Sequence, residues 1–191
     1  MAVPNSNLFE WDELNLIRED ARRFIREAKQ KKPGRKAIDG FCDYLEFVLC
    51  LVYAYGWKDA EEIVGDLPMP EGLDDKVVNL EIAGETFRDR MREAFEDIDE
   101  DRAEMIIDTE AHRDYNTGVL DAGTASGMEL RKQWNTMLDG RVRETHDYLE
   151  GAVVGIEDRF YTFDGDSALA PGGFSDPANN VNCRCWITLA R

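Results

Sequence analysis

The chain has 191 residues, room for one domain of ordinary size or two small ones, and its 43% of apolar residues suffice for a core. Its 40 acidic and 23 basic residues leave a net charge of -17, which argues against unaided binding to a bare nucleic-acid backbone. The longest apolar run, Phe47 to Tyr55, falls well short of the roughly 20 residues of a membrane span, so no membrane partner is expected.

From Glu10 to Lys32, Leu14, Ile17, Ala21, Phe24, Ile25 and Ala28 recur at helical spacing, and Pro33-Gly34 ends the helix. Its other face is basic: residues 18–36 hold nine Lys or Arg against three acids, a local balance of +6 that leaves -23 on the rest of the chain. Either neighbouring acids of the same protein answer this face, or it docks on an acidic protein or on DNA. In the second case Arg18, Arg22, Arg26 and Lys29, about one turn apart, form the partner-binding stripe. A second helix, Ala37 to Tyr55, is apolar nearly all round from Phe41 and is expected at the centre of a bundle, with Cys42 and Cys50 as small core residues. A short helix follows over Lys58 to Val64, then a Pro/Gly loop over 65–72. Asp74 or Asp75 is expected to cap a helix reaching about Phe95, with Val77, Val78, Ile82, Phe87, Met91 and Phe95 inward. The acidic cluster Glu96 to Asp101 is a candidate hinge, dividing a helical region 1–98 from a second domain 99–191.

Arg102 to about Ala125 reads as a long helix weakened near Gly118. Short strands are expected at Glu129 to Met137, Ala152 to Ile156, Arg159 to Phe163 and Cys183 to Leu189. A helical bundle, a long helix and then a small, mainly antiparallel sheet make the fold α+β. The loop Asp164 to Asn180 holds Asp164, Asp166 and Asp176 but lacks calcium-loop spacing. His112, alone on the long helix, is expected to be exposed or capping.

The chemistry concentrates in two stretches, Trp134 to Gly151 and Asn180 to Trp186. On a short helix begun near Gly140 and capped by Asp139, the residues Asp139, Arg143 and His146 share one face. In N-C-R-C, an extended backbone turns Cys183 and Cys185 to one side and Arg184 to the other.

A tryptophan, D-x-R-x-R-x-x-H over 139–146, an L-E-G turn, a strand pair, a Pro-Gly loop and a closing N-C-R-C resemble the C-terminal domain of the phage Mu F-like minor head proteins. The resemblance runs over about 102–190 and includes Thr109-Glu110 and Asn116 to Gly118 on the preceding helix. It implies a minor capsid protein of a tailed phage or phage-like particle, acting by protein binding in head morphogenesis, portal association or DNA delivery. Implied partners are the portal or major capsid protein, with packaged DNA and self-association as further options. The implied location is the virion head, after assembly in the host cytoplasm. No enzymatic activity is expected.

The residues themselves leave three readings. His146, Cys183 and Cys185, with Asp139 or water as the fourth ligand, suit zinc. A Cys nucleophile with His146 as base and Asp139 orienting it would give a thiol peptidase, and His146 with aspartates a metal-dependent nuclease. In the third reading Asp139, Arg143, His146, Asn182 and Arg184 form a structural polar network and the thiols simply pack. A carrier domain of a phage-derived toxin is a further alternative, because this domain type also occurs fused to effectors.

Overall fold

The computed structural model describes residues 12–73, 77, 81–82 and 84–191. Helix α1 (Asp12–Lys31) lays Leu14, Ile17, Ala21, Ile25 and Ala28 into the core, as their spacing requires. Helix α2 (Arg35–Val64) runs unbroken for 30 residues, so the two helices expected over 37–64 are one. Trp57 is buried within it, and Gly65, with φ of 86°, stops it.

The helix expected from residue 74 to 95 is corrected. Strands β1 (Glu81–Ile82) and β2 (Glu85–Thr86) form a tight hairpin around Gly84, whose φ of 81° suits glycine. Helix α3 (Phe87–Asp97) begins only after it, because the Thr86 hydroxyl accepts the Asp89 N–H as a cap. The expected cap at Asp74 or Asp75, Val78 and the side chain of Ile82 lie outside the described residues. Phe87, Met91 and Phe95 are buried as expected. Ile98, at φ of 60°, turns the chain within the acidic cluster, and Asp99 caps helix α4 (Glu100–Ala125) by accepting the Arg102 N–H.

Helix α4 is the axis of the molecule. Against α2 it packs backbone to backbone: a Cβ on Gly118 would stand 2.1 Å from the Tyr53 carbonyl oxygen, and one on Gly56 would stand 2.0 Å from that of Tyr115. The glycine that weakens the helical pattern is thus what lets two long helices touch. Nearer the start of α2, Phe24 stacks on Phe41 with centroids 4.5 Å apart and Phe95 meets both rings.

Beyond α4, strands β3 (Arg131–Asn135), β4 (Val153–Gly155) and β7 (Trp186–Ala190) form an antiparallel sheet in the order β4-β3-β7, with Trp134 opposite Ile187. Its inner face presents Lys132, Trp134, Ile187 and Leu189, all buried. Leu189 and Ile156 close over Gly123 of α4, where a Cβ would meet their methyl groups at 3.0 and 2.9 Å. A second pair, β5 (Phe160–Tyr161) with β6 (Ser167–Ala168), carries the buried Phe160. The chain is α+β, and the buried apolar side chains of helices and sheet form one continuous core. No helix among the described residues is long and apolar enough to cross a membrane.

Candidate functional site

The connection from β3 to β4 is a compact turn and not the helix expected from Gly140. Leu138 takes φ of 52°, the Asp139 carboxylate accepts the Arg141 N–H at 3.0 Å, and only helix α5 (Glu144–Asp147) follows. An aspartate two residues before a free N–H closes an Asx turn here, so the shared helical face of Asp139, Arg143 and His146 does not form. All three side chains nevertheless reach the same partner segment, 181–185. Arg184 donates to Asp139 at 2.5 Å, Arg143 donates to the Val181 carbonyl, and His146 meets both thiols. The hydrogen bond from Arg184 holds the Asp139 carboxyl down at about 2.

His146, Cys183 and Cys185 are all buried. Nδ1 of His146 lies 3.5 Å from the sulfur of Cys183 and 3.5 Å from that of Cys185. Among the described residues these three side chains bring their ligand atoms within 4.8 Å of one another, and no further His, Cys, Asp or Glu joins them. Asp139, considered as a fourth ligand, stands outside the cluster in its pair with Arg184. The imidazole is fixed by rings: it stacks on Phe174 at 5.2 Å and meets Trp134 edge-on at 5.5 Å, while its Nε2 has no hydrogen-bond partner. Both cysteines precede β7, so N-C-R-C lies in the approach to the closing strand and not in it. The two thiols ionise as a pair. The hydrogen bond from Cys185 and then His146 hold the Cys183 thiol low, and the same hydrogen bond pushes Cys185 up.

The approach segment is fastened to α4 by polar side chains inside the protein. Asn116 donates to the Cys185 carbonyl at 3.1 Å and accepts the Ile187 N–H at 2.9 Å, acting as a strand partner within the core. The Asn182 N–H donates to the Thr109 hydroxyl at 3.0 Å, with Asn182 itself at φ of 56°. His112 is buried, which corrects its expected exposure; burial, with Arg18 and Arg184 nearby, lowers its pKa to about 3. Two residues before it, Glu110 pairs with Arg113 and, at 2.5 Å, with Arg90 of α3. Asp114 is fully buried beside Arg113, and burial raises its carboxyl well above the usual range.

The loop 164–180 is organised by one carboxylate. Asp166 accepts the Ser167, Ser175 and Asp176 N–H groups, the Ser175 hydroxyl and the Asn179 amide. Burial opposes ionisation, but the Ser175 and Asn179 hydrogen bonds outweigh it and hold this carboxyl well below the usual range. Helix α6 (Pro177–Asn180) follows, and Asn180 pairs reciprocally with the Phe174 backbone at 2.7 and 2.9 Å. Phe174 is thereby held against His146.

Of the basic stripe on α1, Arg18 meets Asp108 at 2.6 Å, Arg22 meets Glu104 at 2.5 Å and Lys29 meets Glu100 at 2.8 Å, while Arg26 donates to the Arg22 carbonyl. Glu100, Glu104 and Asp108 recur every four residues, one turn apart on α4, so the stripe lies against a matching acidic ladder of the same protein.

Sequence reasoning missed Lys132, whose side chain is buried and donates to the Ile156 carbonyl at 2.7 Å. Burial lowers its pKa to about 8. The strict alternation of β3 pointed it inward, but its charge spoke for the surface. Asn116 and Asp166 were noticed as letters of a pattern, without a role.

A long helix, a three-stranded sheet closed on it and a polar clasp between them make up most of the stretch that matches the phage Mu protein F like proteins. The family model matches residues 75–188, more than half of the chain, and the chain belongs to that family. The match begins ahead of the resemblance read over 102–190 and takes in the hairpin and α3. Among curated proteins the chain is similar to Minor head protein GP7 of Bacillus phage SPP1, 29% identical over 88 residues, 45% of this chain and 29% of that protein. It is also similar to NAD(+)–arginine ADP-ribosyltransferase EFV of Enterococcus faecalis, 37% identical over 59 residues, 31% of this chain and 12% of that protein. The chain thus spans less than a third of the length of either relative. No solved structure matches it.

Proposed function

We propose that the chain is a minor head protein of a tailed phage or phage-like particle and works by binding other head proteins, the portal or major capsid protein first among them. The observation that carries this reading is family membership over residues 75–188 together with the likeness to a minor head protein. The polar clasp supports binding over catalysis. Its histidine and thiols are buried among Trp134 and Phe174, a setting that suits fixing the module's shape.

A surface for a protein partner is offered by α2. Tyr44, Phe47, Leu51 and Tyr55 fall on one side of that helix and stay exposed, an apolar stripe of the kind that marks contact sites. Three cations of the stripe on α1, Arg18, Arg22 and Lys29, are engaged with α4, and the stripe serves the chain's own fold in this reading. The similarity to the ADP-ribosyltransferase covers too little of that protein to carry its activity across. It favours a second reading, in which the same module acts as a carrier within a longer chain.

Fractionation of purified particles of the phage or prophage encoding the chain tests the head role. The protein is expected in heads at low copy, with a deletion strain giving few or DNA-free heads. Its absence from particles, with normal assembly in the deletion strain, overturns the reading.

A further inference from the structure

Three observations converge on the buried end of the clasp. The first is distance. Ligands at about 2.3 Å (sulfur) and about 2.05 Å (nitrogen) around a tetrahedral zinc ion stand about 3.5–3.6 Å apart. Nδ1 of His146 lies 3.5 Å from each sulfur. The second is valence. Neutral imidazole has a single lone pair for an incoming S–H, yet two sulfurs stand at the same distance from the same nitrogen. One cation on that lone pair serves both.

The third is charge. All three side chains are at most 3% exposed, so a lone thiolate here would bear a large desolvation cost. Two thiolates and one neutral imidazole around a divalent ion leave no net charge to bury. Phe174 and Trp134 already set the ring plane that aims Nδ1 at the sulfurs, a role usually taken by an outer hydrogen bond.

We propose that His146 Nδ1, Cys183 Sγ and Cys185 Sγ bind one zinc ion, with water in the fourth position, and that the ion clamps the turn 139–149 to the approach of the closing strand. Binding releases the two thiol protons to solvent and changes no oxidation state. The sulfurs sit one residue apart, so a single hydrogen-bonded segment offers both. The histidine comes from about 37 residues earlier in the chain, and the ion therefore joins two parts that otherwise meet through Asp139–Arg184 and Arg143–Val181. The inference is independent of the head role, since it concerns the isolated chain.

The test is elemental analysis of the full chain, expressed without a metal-affinity tag and purified under reducing conditions. One equivalent of zinc is expected, retained by the Cys42→Ser/Cys50→Ser variant and lost in Cys183→Ser/Cys185→Ser. Should the latter fail to fold, the wild-type protein still decides. Titration of its thiols with a mercurial should release zinc to a chromogenic chelator in step with two thiols. Cobalt exchange should give the visible bands of a tetrahedral site and a near-ultraviolet thiolate band. Stripping the ion should lower Tm by several degrees. Folded wild-type protein with only trace metal and no cobalt spectrum on loading overturns the site, as does full zinc in the Cys183→Ser/Cys185→Ser variant.

Discussion

The helices and the sheet are held together by different means. In the helical part, apolar side chains and a glycine-to-backbone crossing set the geometry, and most ion pairs, such as Arg22–Glu104, line the outside, with Arg90–Glu110 a buried exception. In the sheet part a comparable task falls to polar groups inside the protein. Asn116 stands in for a strand, Lys132 caps a carbonyl, Asp166 gathers five donors, and a histidine and two thiols close the end. Short strands bury too little apolar surface to define their own loops, so directional bonds supply the definition.

The helical side is broken most sharply at its crossing. Gly118→Val should abolish folding, a loss of more than about 4 kcal/mol, because its side chain must occupy the space of the Tyr53 carbonyl. Recovery of soluble, cooperatively melting protein would show that the two helices separate without cost. On the sheet side, Asn116→Ala leaves the Ile187 N–H and the Cys185 carbonyl without their side-chain partner and should cost about 2–4 kcal/mol in urea denaturation. A change under about 0.5 kcal/mol would place the strand's anchorage elsewhere.

Lys132 sharpens the contrast through pH. Its pKa is about 8 folded against 10.5 as the ordinary value, so the folded state releases the proton first. Below pH 8 the wild type carries a constant penalty, and between pH 8 and 10.5 its stability rises. Relative to Lys132→Met, the wild type should gain on the order of 2 kcal/mol from pH 7 to pH 10. Parallel curves for the two proteins would mean that Lys132 is solvated.

Asp166→Ala should cost about 1–2 kcal/mol and raise proteolytic nicking within 164–180, with the helices intact. Smallest of all, Arg22→Ala should cost less than about 0.5 kcal/mol and vanish in high salt, as exposed pairs do. A larger effect would make the ladder part of the fold's foundation.

How much of this was legible in the sequence follows the same division. Helical periodicity located α1, α2 and α4 because those helices are long and one-sided or centrally buried. The short strand expected over Glu129 to Met137 contains β3. The hairpin at 81–86 stayed hidden because two-residue strands carry no period, although Gly84 and the Thr86 cap were its local signals. The Asp139 turn was read as a helix start because an Asx turn and an N-cap use the same residue for the same bond. The convergence of His146 with Cys183 and Cys185 was visible as chemistry before it was visible as space. The burial of His112, Asn116 and Lys132 was not, since a polar residue declares itself internal only through a partner supplied by the fold.

The claim on which the contrast rests is that the closing strand is locked to α4 from inside, through Asn116. Amide hydrogen exchange in the native state reads this directly at Ile187, whose N–H has the Asn116 side chain as its acceptor. Protection of Ile187 at the level of the α4 core amides, falling by two or more orders of magnitude in Asn116→Ala while α4 stays protected, is the predicted result. Fast exchange at Ile187 in the wild type, with α4 fully protected, would contradict it.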